Sequence, residues 1–417
     1  PILTEIIDGW VHAKDTTLGA DNGIGVAAAL AVLESTDIAH GPIEALFTIE
    51  EESSLRGALE LEAGILEGKI LFNLDSEDRG DVYIGCAGGT DINVAKEFSS
   101  QDAVADDVGF NLSISGLRGG HSGLDIHKGL ANANVLLVTL LLQLTDEFDI
   151  RLASFSGGTL RNAIAREANA CFMLPAAQVA AMRLQLDACQ LAMQTEFSIT
   201  EANLAFALEP SEVQPTLPTL EQQRLLCALN CAPHGVFRMS PELPGVTETS
   251  CNLGVINLTP ATNGLMAFSG CLLVRSLLDS ATTYMARKAK AAFDLIDASV
   301  IIENGYPGWR PDPTAGLLKQ FLTVHQDVMG YEANVKVIHA GLECGIIGAK
   351  YPGMEMVSFG PNIRGAHSPA ERLEIDSVGD FWRLLVELLA AVPLSSVAAA
   401  NVSHSTVTKS KSKASLS

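Results

Sequence analysis

The amino-acid sequence predicts an α/β fold with a mostly parallel central sheet, interrupted by an inserted α+β domain. Three observations lead to this prediction. Helical and strand-like segments alternate near the N-terminus in the order typical of a parallel sheet. The pattern of these segments becomes that of an α+β domain between about residues 90 and 303, and the α/β pattern then returns. A chain of 417 residues also exceeds what one hydrophobic core usually serves, which favours two domains.

The first part of the chain predicts a helix over 22–34, a strand over 43–50, a helix over 54–66 and a strand over 69–75. Strand–helix–strand order is typical of a parallel sheet. In such sheets, catalytic and ligand-binding residues lie beyond the carboxyl ends of the strands. The acidic run 50–52 and Asp75 are expected at these ends.

Within the inserted domain, the sequence pattern predicts strands such as 108–117 and helices such as 132–148. A Pro/Gly-rich hinge at 306–313 precedes the returning α/β segment. That segment predicts a strand over 353–360 and a last helix over about 377–391.

The chain is strongly acidic, with a formal net charge of −22. Nucleic acid and anionic membrane surfaces attract clustered Lys and Arg, so neither is expected as a partner. The longest apolar run, 135–144, is half the roughly 20 residues of a membrane span and predicts a buried helix. No secretory signal opens the chain, and the Ser/Lys-rich C-terminus predicts disorder.

Eight cysteines are scattered without a Cys-x-x-Cys pair. Cys227 and Cys231, followed by His234, form their one cluster, and a zinc site there would need a fourth ligand. Reduced, buried cysteines in a cytoplasmic protein are the favoured interpretation.

The stretch FTIEEESS places three glutamates, 50–52, directly after a predicted strand. Like charges repel, so the run is either a solvated loop or a cation site. Asp21 and Asp75 also lie at predicted turns. Zinc accepts carboxylate oxygen and imidazole nitrogen, and His367, in a loop after a strand, could supply the imidazole.

A second interpretation of the N-terminal region is dinucleotide binding, because Gly23, Gly25 and Ala28 fit G-x-G-x-x-A. No convincing strand precedes the pattern, and Asp21 would face a pyrophosphate with the wrong charge. Asp21 itself is either a helix N-cap or a carboxylate aimed at a metal.

Five motifs in order, TTLGADNGIG, TIEEES, NLDSED, GLRGGHSG and AHSPAE, resemble the M20 di-zinc metallopeptidases. The resemblance spans residues 8–392 and is strongest to the aminoacyl-histidine (cytosolic non-specific) dipeptidases. YIGCAGG, GGTLRNAIARE, TSCNLGVI, YPGWRPDP and HAGLECG strengthen that assignment.

The resemblance implies two Zn²⁺ ions, with Co²⁺ or Mn²⁺ as alternatives. Asp21 matches the carboxylate that bridges the ions, and its bond to Asn22 is expected to be cis. Glu52 matches a ligand of one ion, Asp75 a ligand of the other, and His367 the C-terminal ligand.

The resemblance also implies hydrolysis of dipeptides, Xaa-His and broader, by an activated water molecule. Glu51 matches the general base, and His121 a histidine that stabilises the oxyanion. Positions expected to contact the substrate are Asn162, Arg275 and Glu343.

The implied domains are a zinc-peptidase catalytic domain at 1–89 and 304–395, a lid at 90–303, and a disordered tail at 396–417. Short peptides with free termini are the implied partners. Oligomeric state stays open, with a homodimer as one implied form.

One expected motif is missing. The family's His-x-Asp should lie upstream of Asp21, but His12 is the sole upstream histidine and lacks the spacing. We therefore expect either a fragment, which the start at Pro1 favours, or a degenerate member. The first strands of the sheet would be missing, and this polypeptide alone would be poorly active and poorly stable.

Three other functions remain open. An M20-type amide deacylase or carboxypeptidase would share the site, because specificity lies in lid contacts. A non-catalytic homologue is supported by the missing His-x-Asp and opposed by the intact Glu51, Glu52, Asp75 and His367. A nicotinamide-dependent oxidoreductase rests on the glycine pattern alone.

Overall fold

Residues 2–392 are described by a computed structural model. The predicted tail at 396–417 lies outside them. The strands, in chain order, are β1 (Thr4–Ile7), β2 (Trp10–Ala13), β3 (Ile70–Asn73), β4 (Asp81–Cys86), β5 (Gly88–Ser99), β6 (Asp107–Ser115), β7 (Gly120–His121), β8 (Arg151–Gly157), β9 (Ala163–Ile164), β10 (Ala168–Pro175), β11 (Ala205–Ser211), β12 (Gly235–Met239), β13 (Thr247–Pro260), β14 (Leu265–Ser276), β15 (Ser299–Tyr306), β16 (Asn334–Ile338), β17 (Glu355–Ser358), β18 (Ile363–Arg364) and β19 (Arg372–Glu374).

The helices, numbered in the same way, are α1 (Ala20–Glu34), α2 (Glu51–Ser54), α3 (Arg56–Glu60), α4 (Ala133–Glu147), α5 (Val179–Glu196), α6 (Thr219–Cys231), α7 (Asp279–Asp294), α8 (Gly316–Met329), α9 (Glu343–Lys350) and α10 (Ile375–Ala391).

These elements group into two compact units. The first unit comprises residues 2–46, 320–332 and 361–392, and the second comprises 47–319 and 333–360.

The first unit contains a four-stranded sheet in the order β1-β2-β19-β18, with antiparallel neighbours. It also contains α1 and α10. Helix α10 buries Phe381, Leu384, Leu385 and Leu388, whose spacing of three and four residues places them on one helical face.

The second unit contains a small, mostly parallel sheet in the order β16-β4-β17-β3. Strand β16 runs parallel to β4, and β17 parallel to β3, while β17 and β4 meet in an antiparallel pairing at Ser358 and Tyr83. The carboxyl ends of β3 and β17 therefore lie side by side, at Asn73 and Ser358.

The second unit also contains a nine-stranded sheet built from residues 88–306. Helices α4, α6 and α7 pack against it. Asn132 caps α4 by accepting a hydrogen bond from the backbone N–H of Asn134 at 2.9 Å. The run 135–144 lies within α4, and Leu137, Leu140 and Leu141 are almost fully buried, as predicted for a buried helix.

The mixed α/β fold class is confirmed, as are the helix and strand predictions for α1, β3, β6, α4, β17 and α10.

The predicted strand at 43–50 is wrong, because no strand forms there. The carbonyl of Ile49 instead accepts a hydrogen bond from the N–H of Gly57 at 3.0 Å, which closes a turn. The predicted helix at 54–66 is also largely wrong, because α3 ends at Glu60. Leu55, with a φ of 56°, separates the two short helices α2 and α3.

Across residues 2–392, no helix is both long enough and apolar enough to cross a membrane.

Candidate active site

Asp21 and Asn22 lie in the first turn of α1 but have non-helical backbone angles. The peptide bond between Asp21 and Asn22 is cis, as expected. The side chain of Asn22, not that of Asp21, caps the helix by accepting from the N–H of Gly25 at 3.0 Å. A Cβ at position 25 would lie 2.5 Å from Asn22 Oδ1. This close approach explains why Gly25, the second glycine of the G-x-G-x-x-A pattern, has no side chain. The N-cap interpretation of Asp21 is therefore wrong.

Glu371 holds the Asp21 segment in place. Its carboxylate, in a side chain only 2% exposed, accepts from the N–H of Gly19 at 2.7 Å and from the N–H of Asp21 at 3.0 Å. A buried carboxylate needs such donors to offset its lost hydration. Sequence reasoning missed Glu371, although its position in the AHSPAE motif beside His367 was a usable signal.

His367 lies in the loop between β18 and β19, in the same unit as Asp21. Its Nε2 atom lies 2.9 Å from Asp21 Oδ2. The Asp21 side chain is 12% exposed and that of His367 is 63% exposed. An imidazole nitrogen and a carboxylate oxygen are donors that zinc accepts, and Glu371 fixes the backbone of one of them. These residues therefore fit a divalent metal.

The glutamate run begins α2. Glu51 and Glu52 form its first turn, with Glu51 half-buried and Glu52 exposed. Glu50 precedes the helix and forms a salt bridge of 2.8 Å with Arg56. Because no strand leads into Glu51 and both glutamates lie in a helical turn, they are not constrained to opposite faces of a sheet.

Asp75 follows the carboxyl end of β3. Its N–H donates to Asn73 Oδ1 at 3.2 Å, and the same oxygen accepts from Ser358 Oγ at 2.6 Å. Ser358 Oγ also bonds Ser76 Oγ at 2.6 Å. This network ties the segment that carries Asp75 to the ends of two parallel strands, which position it as predicted for an α/β sheet.

His121 ends the short strand β7, which pairs with β9. Its Nδ1 atom accepts from the N–H groups of Gly123 and Leu124 at 3.2 and 3.1 Å, which assigns the ring hydrogen to Nε2. Burial, and next the Arg275 guanidinium, lowers the pKa of His121 to about 4, with Asp125 acting in the opposite direction. At neutral pH the ring is uncharged and presents an N–H donor.

Arg275 is a buried cation, only 6% exposed, that lies next to His121. It donates to Tyr306 Oη at 3.0 Å and to Ser122 Oγ at 3.4 Å, and its Nη2 atom is 3.5 Å from His121 Nε2. Within residues 2–392 it forms no salt bridge with a described carboxylate. A buried guanidinium without a counter-ion is costly, so the surroundings favour an anionic ligand.

The two other predicted substrate-contacting residues lie in different settings. Asn162 is exposed, and its carbonyl accepts from the N–H of Ser122 at 2.8 Å, which places it beside the His121 loop. Glu343 begins α9 and is 8% exposed. Burial raises the pKa of Glu343, and a hydrogen bond with Thr48 partly opposes this.

Glu201 anchors both ends of the loop that carries His121. It is 2% exposed, and its two carboxylate oxygens accept from the N–H groups of Arg118 at 2.8 Å and Ala131 at 3.0 Å. No local sequence pattern marks this residue, because its partners lie 83 and 70 residues away along the chain.

We expect Glu201→Ala to lower the free energy of unfolding by about 3 kcal/mol, because the backbone N–H groups of Arg118 and Ala131, the second of them buried, lose a charged acceptor. Glu201→Gln keeps one acceptor oxygen and should lose less. Urea unfolding measures both, with the exposed Glu196→Ala as the matched control. Equal stability of the Glu201→Ala and Glu196→Ala proteins would contradict the anchoring role.

The cysteine cluster does not assemble a metal site. Cys227 and Cys231 are exposed on α6, while the Nδ1 atom of His234 accepts from the N–H of Leu253 at 3.3 Å. Among the residues that the structure describes, these three do not bring their ligand atoms together. All eight cysteines are free, but four of them, at 189, 227, 231 and 271, are not fully buried as expected.

Two proteins are similar to this chain over most of its length. The cytosol non-specific dipeptidase of Escherichia coli (strain K12) is 42% identical over 394 residues, which are 94% of this chain and 80% of that protein. The crystal structure of the aminoacylhistidine dipeptidase from Vibrio alginolyticus has a TM-score of 0.88 and 43% identity, covering 94% of this chain and 79% of that one.

A more distant structure shares the fold alone. The aminopeptidase PepT from Bacillus cereus ATCC 10987 has a TM-score of 0.54 at 17% identity, covering 94% of this chain and 76% of that one. The sequence pattern of Peptidase family M20/M25/M40 matches residues 2–391. Because this match takes in nearly every described residue, from the β1–β2 hairpin to α10, the chain belongs to the Peptidase family M20/M25/M40.

Proposed function

We propose that this chain is a metal-dependent dipeptidase of the cytoplasm that hydrolyses Xaa-His and other dipeptides. The observation that carries the proposal is the Asp21–His367 pair, whose carboxylate segment is held by buried Glu371. Membership of the M20 family and similarity to two proteins named as dipeptidases support it.

The residues that would hold the two Zn²⁺ ions are Asp21, Glu52, Asp75 and His367. Co²⁺ or Mn²⁺ could replace zinc. When bound, such ions polarise the scissile carbonyl and lower the pKa of a water molecule.

Two side chains are assigned to proton transfer and to stabilisation of the oxyanion. Glu51 accepts a proton from the attacking water molecule and later delivers it to the leaving amine. The neutral ring of His121 donates its Nε2–H to the developing oxyanion, for which the hydrogen bonds to Nδ1 prepare it.

Substrate binding is assigned to three residues. Arg275, buried without a described carboxylate partner, binds the free carboxylate of the dipeptide. Asn162 and Glu343 contact the remainder of the substrate. We further propose that residues 90–303 act as a lid over the substrate and that the protein forms a homodimer.

Hydrolysis of Ala-His in the presence and absence of Zn²⁺ tests the function. The assay compares the 417-residue chain with an extended chain, in which an upstream segment supplies the His-x-Asp motif. We expect poor activity from the 417-residue chain and strong hydrolysis by the extended chain, lost on chelation and restored by zinc. A folded, metal-loaded extended chain that hydrolyses no dipeptide would contradict the proposal, and N-acyl amino acids would then be tested as substrates.

A further inference from the structure

Asn162 lies in the short segment 158–162, which connects β8 to β9. Its side chain is a proposed substrate contact, and the residue is exposed. A residue outside the regular strands gains no fixed direction from sheet pairing, and small displacements of a substrate-binding group are costly. The contacts that fix this segment therefore bear on substrate binding.

Asn252, in β13, bonds the backbone on both sides of Asn162. Its Nδ2 group donates to the carbonyl of Arg161 at 2.9 Å and to the carbonyl of Ala163 at 2.8 Å. The carbonyl of Asn162 itself accepts from the N–H of Ser122 at 2.8 Å. Three consecutive carbonyl groups are therefore hydrogen-bonded, which fixes the two peptide planes that flank Asn162.

The side chain of Asn252 serves this segment and not the sheet. Asn252 is 1% exposed, and its backbone pairs with Leu273 of β14, a pairing that requires nothing of the side chain. Both amide hydrogens are used on the two carbonyl groups, and Oδ1 accepts from Asn132 Nδ2 at 3.4 Å. A buried polar side chain on a strand is costly unless it is satisfied in this way.

The segment packs directly on the backbone of β13. A Cβ at position 254 would lie 2.7 Å from the Cα atom of Arg161 and 3.0 Å from its carbonyl oxygen. Gly254 therefore allows the close approach that brings the carbonyl groups within reach of a side chain as short as that of Asn252.

Asn252 also lies close to the other proposed substrate-binding residues. Strand β9 pairs with β7, where Ala163 lies opposite His121. On β13, Ser250 lies opposite Arg275 of β14. Residues two apart on a strand, and residues directly opposite on neighbouring strands, share a face of the sheet, so Asn252 and Arg275 project to the same side.

We propose that Asn252 is a positioning residue for substrate binding. It fixes the backbone around Asn162 and thereby holds the Asn162 side chain in the direction needed for contact with the dipeptide. The proposal rests on the proposed dipeptidase function for the role of Asn162. Asn252 acts through Asn162 and takes no part in proton transfer.

Hydrogen exchange in the 417-residue chain tests the positioning without turnover. Asn252→Leu keeps the size of the side chain but removes both donors. We expect the amides of Ser122 and Ala163 to exchange about tenfold faster, with exchange in α7 unchanged. Mass spectrometry of peptides that cover 118–125 and 158–166 measures this effect.

Two further variants support the exchange measurement. Asn257→Leu, in the same strand, leaves both carbonyl bonds of Asn252 in place and should not change exchange at Ser122 and Ala163. Asn252→Thr suits a strand and offers one donor that is too short to reach both carbonyl groups, so it should act like Asn252→Leu if the leucine variant does not fold.

A double-mutant cycle in the extended chain tests the link to the substrate. Asn252→Leu is expected to raise KM for Ala-His about fivefold, the effect of about one hydrogen bond. In the double variant with Asn162→Ala, KM should equal that of Asn162→Ala alone, because Asn252 acts through Asn162. Increases in KM that multiply in the double variant would show a different route and would overturn the proposal.

The two measurements separate this proposal from the proposed function. Equal exchange in Asn252→Leu and Asn257→Leu, beside normal hydrolysis of Ala-His, would overturn the positioning role and leave the dipeptidase function standing. Faster local exchange in Asn252→Leu, beside an extended chain that hydrolyses no dipeptide, would overturn the dipeptidase function while Asn252 kept its hold on the segment.

Discussion

Replacing Glu51 by Gln is expected to lower kcat/KM for Ala-His about 10²- to 10⁴-fold in the extended chain. Gln has the same shape but cannot accept a proton from the attacking water molecule. Glu51 is half-buried in the first turn of α2, so the substitution should leave the fold and zinc content unchanged. Initial rates over a range of substrate concentrations, together with zinc analysis, measure the effect.

Glu50 offers a matched control one residue away. It forms a half-exposed salt bridge with Arg56, so Glu50→Gln should change stability by less than about 1 kcal/mol and leave hydrolysis intact. If Glu50→Gln and Glu51→Gln lost activity equally, the general-base role would belong to the acidic run as a whole and not to Glu51.

Replacing Glu371 by Ala is expected to weaken zinc binding about 10- to 100-fold. The carboxylate fixes the backbone at Gly19 and Asp21, so its loss would free the segment that carries a proposed ligand. Glu371→Gln keeps one acceptor oxygen, so its zinc affinity should lie between those of the unsubstituted chain and of Glu371→Ala. Competition with a chromogenic zinc chelator measures the affinity without relying on turnover.

Glu387→Gln is the control for Glu371, because Glu387 is exposed on the last helix. We expect its zinc affinity to match that of the unsubstituted chain. Unchanged affinity in a folded Glu371→Ala protein would show that the Asp21 segment keeps its geometry without this carboxylate, and would remove Glu371 from the account of the site.

Elements with a strong local pattern could be predicted from the sequence. Helices α4 and α10 carry apolar residues at helical spacing, and β3 is a short apolar run that ends at a polar segment. The pairing of Asp21 with His367 followed from ordered motifs and not from periodicity, because the two residues lie 346 positions apart.

Features set by non-local contacts could not be predicted. Residues 43–50 have strand-like composition, but a strand also needs a neighbouring backbone, and Ile49 bonds Gly57 instead. Glu201 acts through backbone N–H groups, which leave no trace in the sequence of either partner, whereas Glu371 was marked only by its place in the AHSPAE motif. Asn252 likewise bonds carbonyl groups that lie 91 and 89 residues away along the chain.

Zinc positions in crystals of the extended chain, located by anomalous scattering, would test the central claim most directly. The proposal predicts two zinc ions, with Asp21 shared between them and Glu52, Asp75 and His367 at coordination distances of about 2.0–2.2 Å. Zinc bound elsewhere, for example at Cys227 and Cys231, with none at Asp21 and His367, would contradict it.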